Sequence, residues 1–448
     1  MTECNGQPLL FASIKRQQVQ ADFDGGQITS DAGSLLLRQV DKHLGLIDAI
    51  DRCIEDPRDR SKTEHTQRTL LAQRIFAVAN GWEDLNDHQG LRNDPMYHIL
   101  ADQPVDTDKA LASVSTLWRL ENRIGRRELI KIVEVFGEQF IRSHQQPPEQ
   151  IILDFDATDD PLHGQQEGRF FHGYYDCYCY LPLYVFCGEQ LLVPYLRPSN
   201  IDAAKHSRAI LKLLVQRLRQ VWPHTRIIIR ADSGFCRWRL MRWCDHHGVY
   251  YILGLARNRR LERLAQPWTV PAAWRHQRTG DKQRLFGSFG YSAHSWDRSR
   301  RVIVKAEHSG RGANPRFVVS NLPGDPQQLY DELYCQRGDM ENRIKEQQLG
   351  LFADRTSCQH FLANQFRLLI SSAAYVLMEA LRRLGLHRTP LAKAQVGTIR
   401  VKLLKIGARI RRSVRRVVVH LSSNYPLKEL LHHIHDRLVQ LPPAMAFR

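Results

Sequence analysis

Two apolar runs, each closed by an acidic residue, constrain this chain more than any other feature. The first is Ile151-Ile152-Leu153-Asp154-Phe155-Asp156, and the second is Ile227-Ile228-Ile229-Arg230-Ala231-Asp232. Runs this apolar and this short mark strands buried on both faces. A third acid, Glu341, lies in Tyr334-Cys335-Gln336-Arg337-Gly338-Asp339-Met340-Glu341, which reads as helix. Two strand-end carboxylates and one helical carboxylate form a set that can hold a pair of divalent cations against a phosphodiester.

The order of elements around these acids predicts a topology. After the Asp156 strand come strand-like runs at 178–187 and 190–196, joined by Gly188-Glu189, then a helix at about 202–220 and the strand 226–231. A helix near 238–246 and a strand at 250–255 follow. Three antiparallel strands, a helix, a parallel strand, a helix and another strand is the order of a ribonuclease H-like α/β fold. There the first and fourth strands are neighbours, so Asp156 and Asp232 are expected side by side. Residues 258–325 hold three β-rich runs, 283–291, 301–307 and 316–321, before the Glu341 helix. They are expected as an insertion into the catalytic domain that closes over a bound DNA end.

At 448 residues the chain is expected to contain more than one core. Residues 1–149 have a candidate β-hairpin through Asp24-Gly25-Gly26 and helical spacing at 31–44, 65–80 and 111–120. They predict a mostly helical N-terminal domain. The polar Gln145-Gln146-Pro147-Pro148 marks its boundary. Residues 150–380 are the expected catalytic domain, and 381–448 a basic C-terminal region for DNA binding.

The net charge of +17 is local. Between Glu379 and Glu429 there is no acid and there are 13 bases, which leaves 51 bases against 47 acids elsewhere. Residues 1–149 carry 18 bases against 23 acids. Arg411, Arg412, Arg415 and Arg416 form the densest cluster, interleaved with Ile410 and Val417-Val418-Val419, as in a folded surface that meets phosphates. The opening Met-Thr-Glu-Cys-Asn-Gly-Gln lacks a secretory pattern, and no apolar run approaches the ~20 residues of a membrane span. The nine cysteines include no Cys-x2-Cys pair, which excludes a zinc ribbon and argues for reduced thiols. A cytoplasmic, non-membrane protein is expected.

Tyr334, Arg337, Glu341, Lys345 and Gln348 are spaced by three, four, four and three, which places them on one helix face. With Asp156-Ala157-Thr158 and Arg230-Ala231-Asp232-Ser233-Gly234-Phe235, this stripe resembles the three signatures of DDE transposases from bacterial insertion sequences, in the superfamily marked by Tyr-x2-Arg-x3-Glu-x6-Lys. Residues 154–161 with Gly164-Gln165-Gln166, Gly81-Trp82-Glu83-Asp84-Leu85-Asn86-Asp87, Leu111-Ala112-Ser113 and Arg119-Leu120-Glu121-Asn122 are similar to one subgroup, the IS-thirteen-eighty family. Gln348 stands where that signature has lysine, and Lys345, one turn earlier on the same face, is the candidate to take its role.

The resemblance implies a DNA transposase that cuts and pastes through two Mg²⁺ ions, with Mn²⁺ as a substitute. Asp156, Asp232 and Glu341 would be the catalytic metal ligands, the Asp-x-Thr pattern selecting Asp156 over Asp154, its competitor or supporting partner. Ser233 would cap the turn after Asp232 and free that carboxylate for metal. Tyr334, Arg337 and Lys345 would hold the terminal phosphates, and Phe235 or Trp238 would stack on an unpaired base. The partners implied are terminal inverted repeats, bound by residues 1–149 and paired with the help of residues 381–448, target DNA and a second copy of the chain. Three other readings compete. One is a nuclease of the same fold that cuts without joining. Another is a domesticated, non-catalytic DNA-binding protein, against which retention of all three acids counts. The last is tyrosine chemistry from His433-Ile434-His435, which the helical spacing of Leu430, Leu431, Ile434, Leu438 and Leu441 disfavours.

Overall fold

The computed structural model describes residues 8–105 and 108–441. The opening seven residues, read above for a secretory pattern, lie outside the described residues.

The central sheet is built from eight main strands. They are β1 (Gln150–Ala157), β2 (Leu183–Cys187), β3 (Gln190–Tyr195), β4 (Arg226–Ala231), β5 (Tyr250–Leu255), β6 (Gln283–Tyr291), β7 (Arg300–Ser309) and β8 (Arg316–Ser320). Their order is β6-β7-β8-β5-β4-β1-β2-β3, with Gly312–Ala313 paired to β7 as a ninth strand. β1 and β5 flank β4 in parallel, and the other main pairs are antiparallel. The register sets Leu153 beside Ile229 and Asp154 beside Arg230.

Alternation along β1 and β4 then sorts their side chains. Ile151, Leu153 and Phe155 join Ile227, Ile229 and Ala231 in the larger core cluster, which helices Ser207–Val221 and Trp238–His246 help fill. The residues between them face the other way. There Ile228 packs with Ile252, Ile303, Val318 and Tyr330, joined by half-buried Ile152, Leu333 and Tyr334. Because strand side chains alternate with period two, Asp154, Asp156 and Arg230 share this second face with the segment that leads to Glu341.

The runs expected at 283–291, 301–307 and 316–321 are strands, but they do not form a separate insert. β8 pairs with β5 and carries the same sheet outward through β7 and β6. Two helices, Arg259–Leu264 and Gln266–Thr279, precede them. Gly287 in β6 makes this packing possible, since a Cβ there would lie 1.9 Å from the Trp268 ring. The run expected at 178–187 is broken. Cys177–Tyr180 is the middle strand of a small sheet with Asp160–Pro161 and Phe170–His172, and β2 starts only at Leu183. Pro182 has no N–H to offer a ladder.

Packing divides the chain into two compact units. One holds the residues up to Ile124, Gly350–Phe352 and the chain from Ala373 onward; the other holds Gly125–Leu349 and Ala353–Ser372. The expected cuts near 149 and 380 therefore move. Helix Arg126–Arg142 belongs with the sheet, where Phe140 and Ile141 enter the core beside β3. The basic C-terminal region belongs with the N-terminal helices. Their shared centre is Asp31, fully buried, which accepts from Trp82 Nε1 at 2.8 Å, Tyr97 Oη at 2.8 Å and Lys405 Nζ at 2.7 Å. Gly33 lies so close to Leu403 that a Cβ would sit 1.7 Å from its carbonyl oxygen.

In this unit the expected helices are present as Leu35–Leu44, Gln67–Asn80 and Val114–Arg123. The N-terminal hairpin pairs Leu9–Ile14 with Gln17–Ala21. Its turn is Lys15-Arg16 rather than Asp24-Gly25-Gly26, and Lys15 takes the left-handed conformation the turn requires (φ 55°). One helical stretch, Phe361–Gly385, is long and apolar enough by composition to cross a membrane, and 83% of its most apolar window is buried inside the protein.

Arg230 ties the sheet to the Glu341 segment. Its guanidinium gives Nε and Nη2 to the two Asp154 oxygens at 2.5 and 2.7 Å, and Nη1 to the Leu333 carbonyl at 2.6 Å. Both charged side chains are almost wholly buried. Removing one member of such a pair strands the other charge in a dry interior. Asp154→Ala is therefore expected to destabilise the sheet unit by about 3–5 kcal/mol, read as a lowered denaturation midpoint; an unchanged midpoint would show that the pair adds nothing.

Candidate active site

Each acidic residue reaches the site by a different local route. Asp156 stands near the end of β1, where the ladder to β2 still pairs it with Tyr184, and it accepts its neighbour Ala157 N–H at 2.9 Å. Asp232 follows the last residue of β4 and caps the short turn Ser233–Phe235, accepting Gly234 N–H at 2.8 Å. The capping expected of Ser233 is thus done by Asp232 itself, because the N-cap position precedes the turn it closes. The cap engages one of its two oxygens.

Glu341 arrives on a helix of mixed winding. A π-helical stretch, Leu329–Tyr334, passes through Cys335–Arg337 into the α-helix Gly338–Lys345, and Glu346–Gly350 is again π-helical. The five-residue face expected from a uniform helix is therefore distributed. Tyr334 packs toward β5, Arg337 and Glu341 face the β1 carboxylates, and Lys345 is exposed. Gln348, in the place expected of lysine, donates to the Asp159 carbonyl at 3.0 Å and to Asp160 Oδ1 at 2.9 Å. It anchors the chain just beyond Asp156.

Arg337 joins the acids. Its Nη1 lies 3.2 Å from Asp156 Oδ2, and its Nη2 donates to Glu341 Oε1 at 2.6 Å. Burial pushes the Asp156 carboxyl up to about 7; Arg337 opposes that rise, while the charges of Asp232 and Glu341 add to it. Asp232 and Glu341 thus both act on Asp156 electrostatically, and one guanidinium spans Asp156 and Glu341. Asp154 is differently placed, since Arg230 takes both its oxygens.

These residues suit a divalent cation in kind. Three carboxylates supply hard oxygen donors, and the guanidinium shared by Asp156 and Glu341 marks where a positive charge is favoured. Among the described residues no three acidic, imidazole or thiol groups already stand at metal-ligating spacing. Arg337 lies between Asp156 and Glu341, so closure around an ion requires it to move.

Two site residues escaped the sequence reading. Gly254 in β5 lets the site close, because a Cβ there would lie 2.6 Å from Tyr334 Oη and 2.8 Å from Ser233 N. Arg230 is the other, and a cation inside an otherwise apolar strand was the signal that an acid must face it. Of the aromatics expected to stack, Phe235 is buried edge-on against Phe155, with ring centroids 6.3 Å apart, and half-buried Trp238 packs on the same core.

Away from this site, Arg411 and Arg412 end the strand Ala408–Arg412, and Arg415 and Arg416 lie in the turn before Val417–Leu421. All four are exposed, with Ala408 and Ile410 turned inward; Arg412 Nη1 also donates to the Val105 carbonyl at 3.0 Å. His433 and His435 are exposed on helix Lys428–Val439, with Ile434 buried between them. A helix turns these histidines outward and leaves no strand to carry a shared metal. Two segments used for the resemblance serve packing, Trp82 through Asp31 and Glu121 through a buried pair with Arg74 at 3.0 Å.

No curated protein matches the chain. Among solved structures it is similar to that of the piggyBac transposase synaptic complex with hairpin DNA. The two share 11% identity at a TM-score of 0.41 over 84% of this chain and 80% of that one, a likeness too slight to bear on function. The profile of the family "Transposase DDE domain group 1" matches residues 11–443. With nearly its whole length matched, the chain belongs to that DDE transposase family.

Proposed function

We propose that this chain is a cut-and-paste DNA transposase of the IS-thirteen-eighty family, with a ribonuclease H-like catalytic core. It binds the terminal inverted repeats of an insertion sequence, cuts there and joins the freed 3′ ends to target DNA. The observation that supports this reading is the bridging of Asp156 and Glu341 by one guanidinium, with Asp232 near enough for its charge to raise the Asp156 carboxyl. Asp156 serves as the first aspartate, because Asp154 is committed to Arg230. Two Mg²⁺ ions held by Asp156, Asp232 and Glu341, with Mn²⁺ as a substitute, would supply the activation of water or a 3′-hydroxyl and the neutralisation of the scissile phosphate.

The chain's own residues do the rest. Arg337 balances the acids in free protein and passes to a phosphate when DNA arrives, since a guanidinium binds phosphate and carboxylate with the same fork. Tyr334, for which Gly254 leaves room, and the exposed Lys345 line the path of the terminal phosphates. The hairpin of Arg411, Arg412, Arg415 and Arg416 supplies a second DNA-binding surface. Pairing two ends calls for a homodimer, and the reaction belongs in the bacterial cytoplasm.

Purified protein with Mg²⁺ should release DNA flanked by the element's own inverted repeats and join its 3′ ends to a target. Asp156→Asn, Asp232→Asn and Glu341→Gln should each lower cleavage by about 100-fold or more, the scale of removing one preorganised electrostatic group. Nicking without joining would favour the plain nuclease, and wild-type levels in the Asp232 and Glu341 variants would dismiss the triad.

Arg337→Gln is expected to tighten Mn²⁺ binding by DNA-free protein by about tenfold or more, as a nearby unit charge counts for a few kcal/mol at partly buried sites. The same variant should weaken DNA binding. Calorimetry showing equal Mn²⁺ affinity would mean that the guanidinium does not compete for the carboxylates.

Replacing Arg411, Arg415 and Arg416 together should weaken DNA binding and flatten the salt slope by up to about 0.9 for each phosphate no longer neutralised. Arg412 is left in place because it also holds the Val105 carbonyl. A slope equal to wild type would take this hairpin out of the interface.

A further inference from the structure

Between β1 and β2 the chain makes an aromatic hairpin that no part of the reaction above employs. Phe170–His172 pairs with Cys177–Tyr180, and the turn between them is closed by Tyr175 and Asp176 N–H groups on the His172 carbonyl. Aromatic side chains normally hide most of their large surface. Here Phe170 is 41% exposed, Phe171 52%, Tyr174 85% and Tyr178 44%. Tyr180, two residues further along the strand, is by contrast buried against Phe361 with centroids 5.1 Å apart.

Position makes the exposure meaningful. The Asp160–Pro161 strand follows Asp156 after three residues and pairs with Tyr180 and Cys179, while Gln348 on the Glu341 segment ties down Asp159 and Asp160. The hairpin therefore leaves the central sheet at the end where the carboxylates stand. Tyr175 at its tip lies within electrostatic reach of Asp159, Asp156 and Asp232, whose charges add to burial in holding its phenol proton.

Chemistry narrows the occupant. Residues 169–178 contain five aromatic rings of Phe and Tyr, one His and one Arg, and no aliphatic side chain beyond glycine. Phe171 meets Tyr178 edge-on at 5.6 Å, and Tyr174 meets Tyr175 edge-on at 5.0 Å. The Arg169 guanidinium lies 4.0 Å over the Tyr178 ring. Rings offering π faces with a cation among them are what a single strand needs; protein interfaces favour aromatics and arginine as well, and it is the position beside the site carboxylates that favours a nucleobase. The adjacent acids would repel bare phosphates and tolerate uncharged bases.

We propose that this hairpin is a stacking platform for unpaired nucleobases at the cleavage site, with Phe171, Tyr174 and Tyr178 as the stacking rings and Arg169 as the accompanying cation. The proposal rests on the transposase reading for its setting, and names the DNA state that the site accepts. Stacking then falls to this hairpin in place of Phe235 and Trp238. Bases freed from the duplex near the cut would be held while the phosphodiester is aligned at Asp156, Asp232 and Glu341.

The test measures affinity in EDTA for a labelled oligothymidine of about 12 nucleotides, within the range of single-strand site sizes, and for a duplex of the same length. Phe171→Ala, Tyr174→Ala and Tyr178→Ala should each weaken single-strand binding by about 5- to 150-fold for the one stack removed, leaving duplex affinity unchanged. Tyr178→Phe and Tyr174→Trp should restore it. The ring of Tyr174 is so exposed that its loss cannot unfold the protein, which keeps that variant decisive. Unchanged single-strand affinity, or equal loss on duplex, would overturn the platform. A change in sedimentation with unchanged single-strand binding would also overturn it, assigning the face to a second copy. Metal-dependent nicking by wild-type protein is measured separately. Its absence would end the transposase reading, while single-strand affinity would still judge the hairpin.

Discussion

The buried contact of Arg230 with Asp154 and the Leu333 carbonyl is the interaction on which the rest of the site depends. It crosses from β4 to β1 and reaches into the segment that ends in Glu341. A lone guanidinium between apolar strands would be prohibitively costly, as would a lone carboxylate. Together with a backbone acceptor, the three groups satisfy one another. Because charge and hydrogen-bond geometry must both be met, this arrangement admits one register of β1 against β4 and one seat for the incoming helix. Asp156, Asp232 and Glu341 inherit their relative positions from it.

A second balance operates at the surface of this arrangement. Asp156 is half-buried beside two further acids, and its carboxyl is pushed up to about 7. Arg337 offsets part of that cost by spanning Asp156 and Glu341. The free protein thus carries its own counter-cation between these two carboxylates. The chain around it is wound to suit: π-helical stretches before and after Gly338–Lys345 rotate successive side chains off a single stripe. Gly254 leaves room for Tyr334 to come down on the loop of Asp232.

How far the sequence could be read depended on whether local pattern or distant packing governed each element. The paired strands around Asp156 and Asp232 were legible because both runs are short, apolar and acid-ended. The helices of the N-terminal part were legible from their spacing. The break at Pro182, the small sheet it releases and the exposed rings of Phe170–His172 were not. A run of aromatics reads as core until tertiary structure shows that nothing covers it. Likewise, the C-terminal basic segment looked like a domain of its own. Only the burial of Asp31 with Trp82, Tyr97 and Lys405 reveals that it completes the N-terminal helices, since ion pairs between residues hundreds of positions apart leave no local pattern.

By itself the sequence determined the candidates: three carboxylates at strand ends and on a helix, a basic segment free of acids and a resemblance that spans most of the chain. These follow from composition and short-range periodicity, which physics reads locally. Tertiary structure alone decided how the two aspartates of β1 differ, because Asp154 and Asp156 share a strand face and are distinguished only by what the fold brings opposite them. Arg230 meets the first and Arg337 the second. That distinction is made by the register of β4 and the seat of a helix some hundred residues further on, and long-range charge pairing is what sets both.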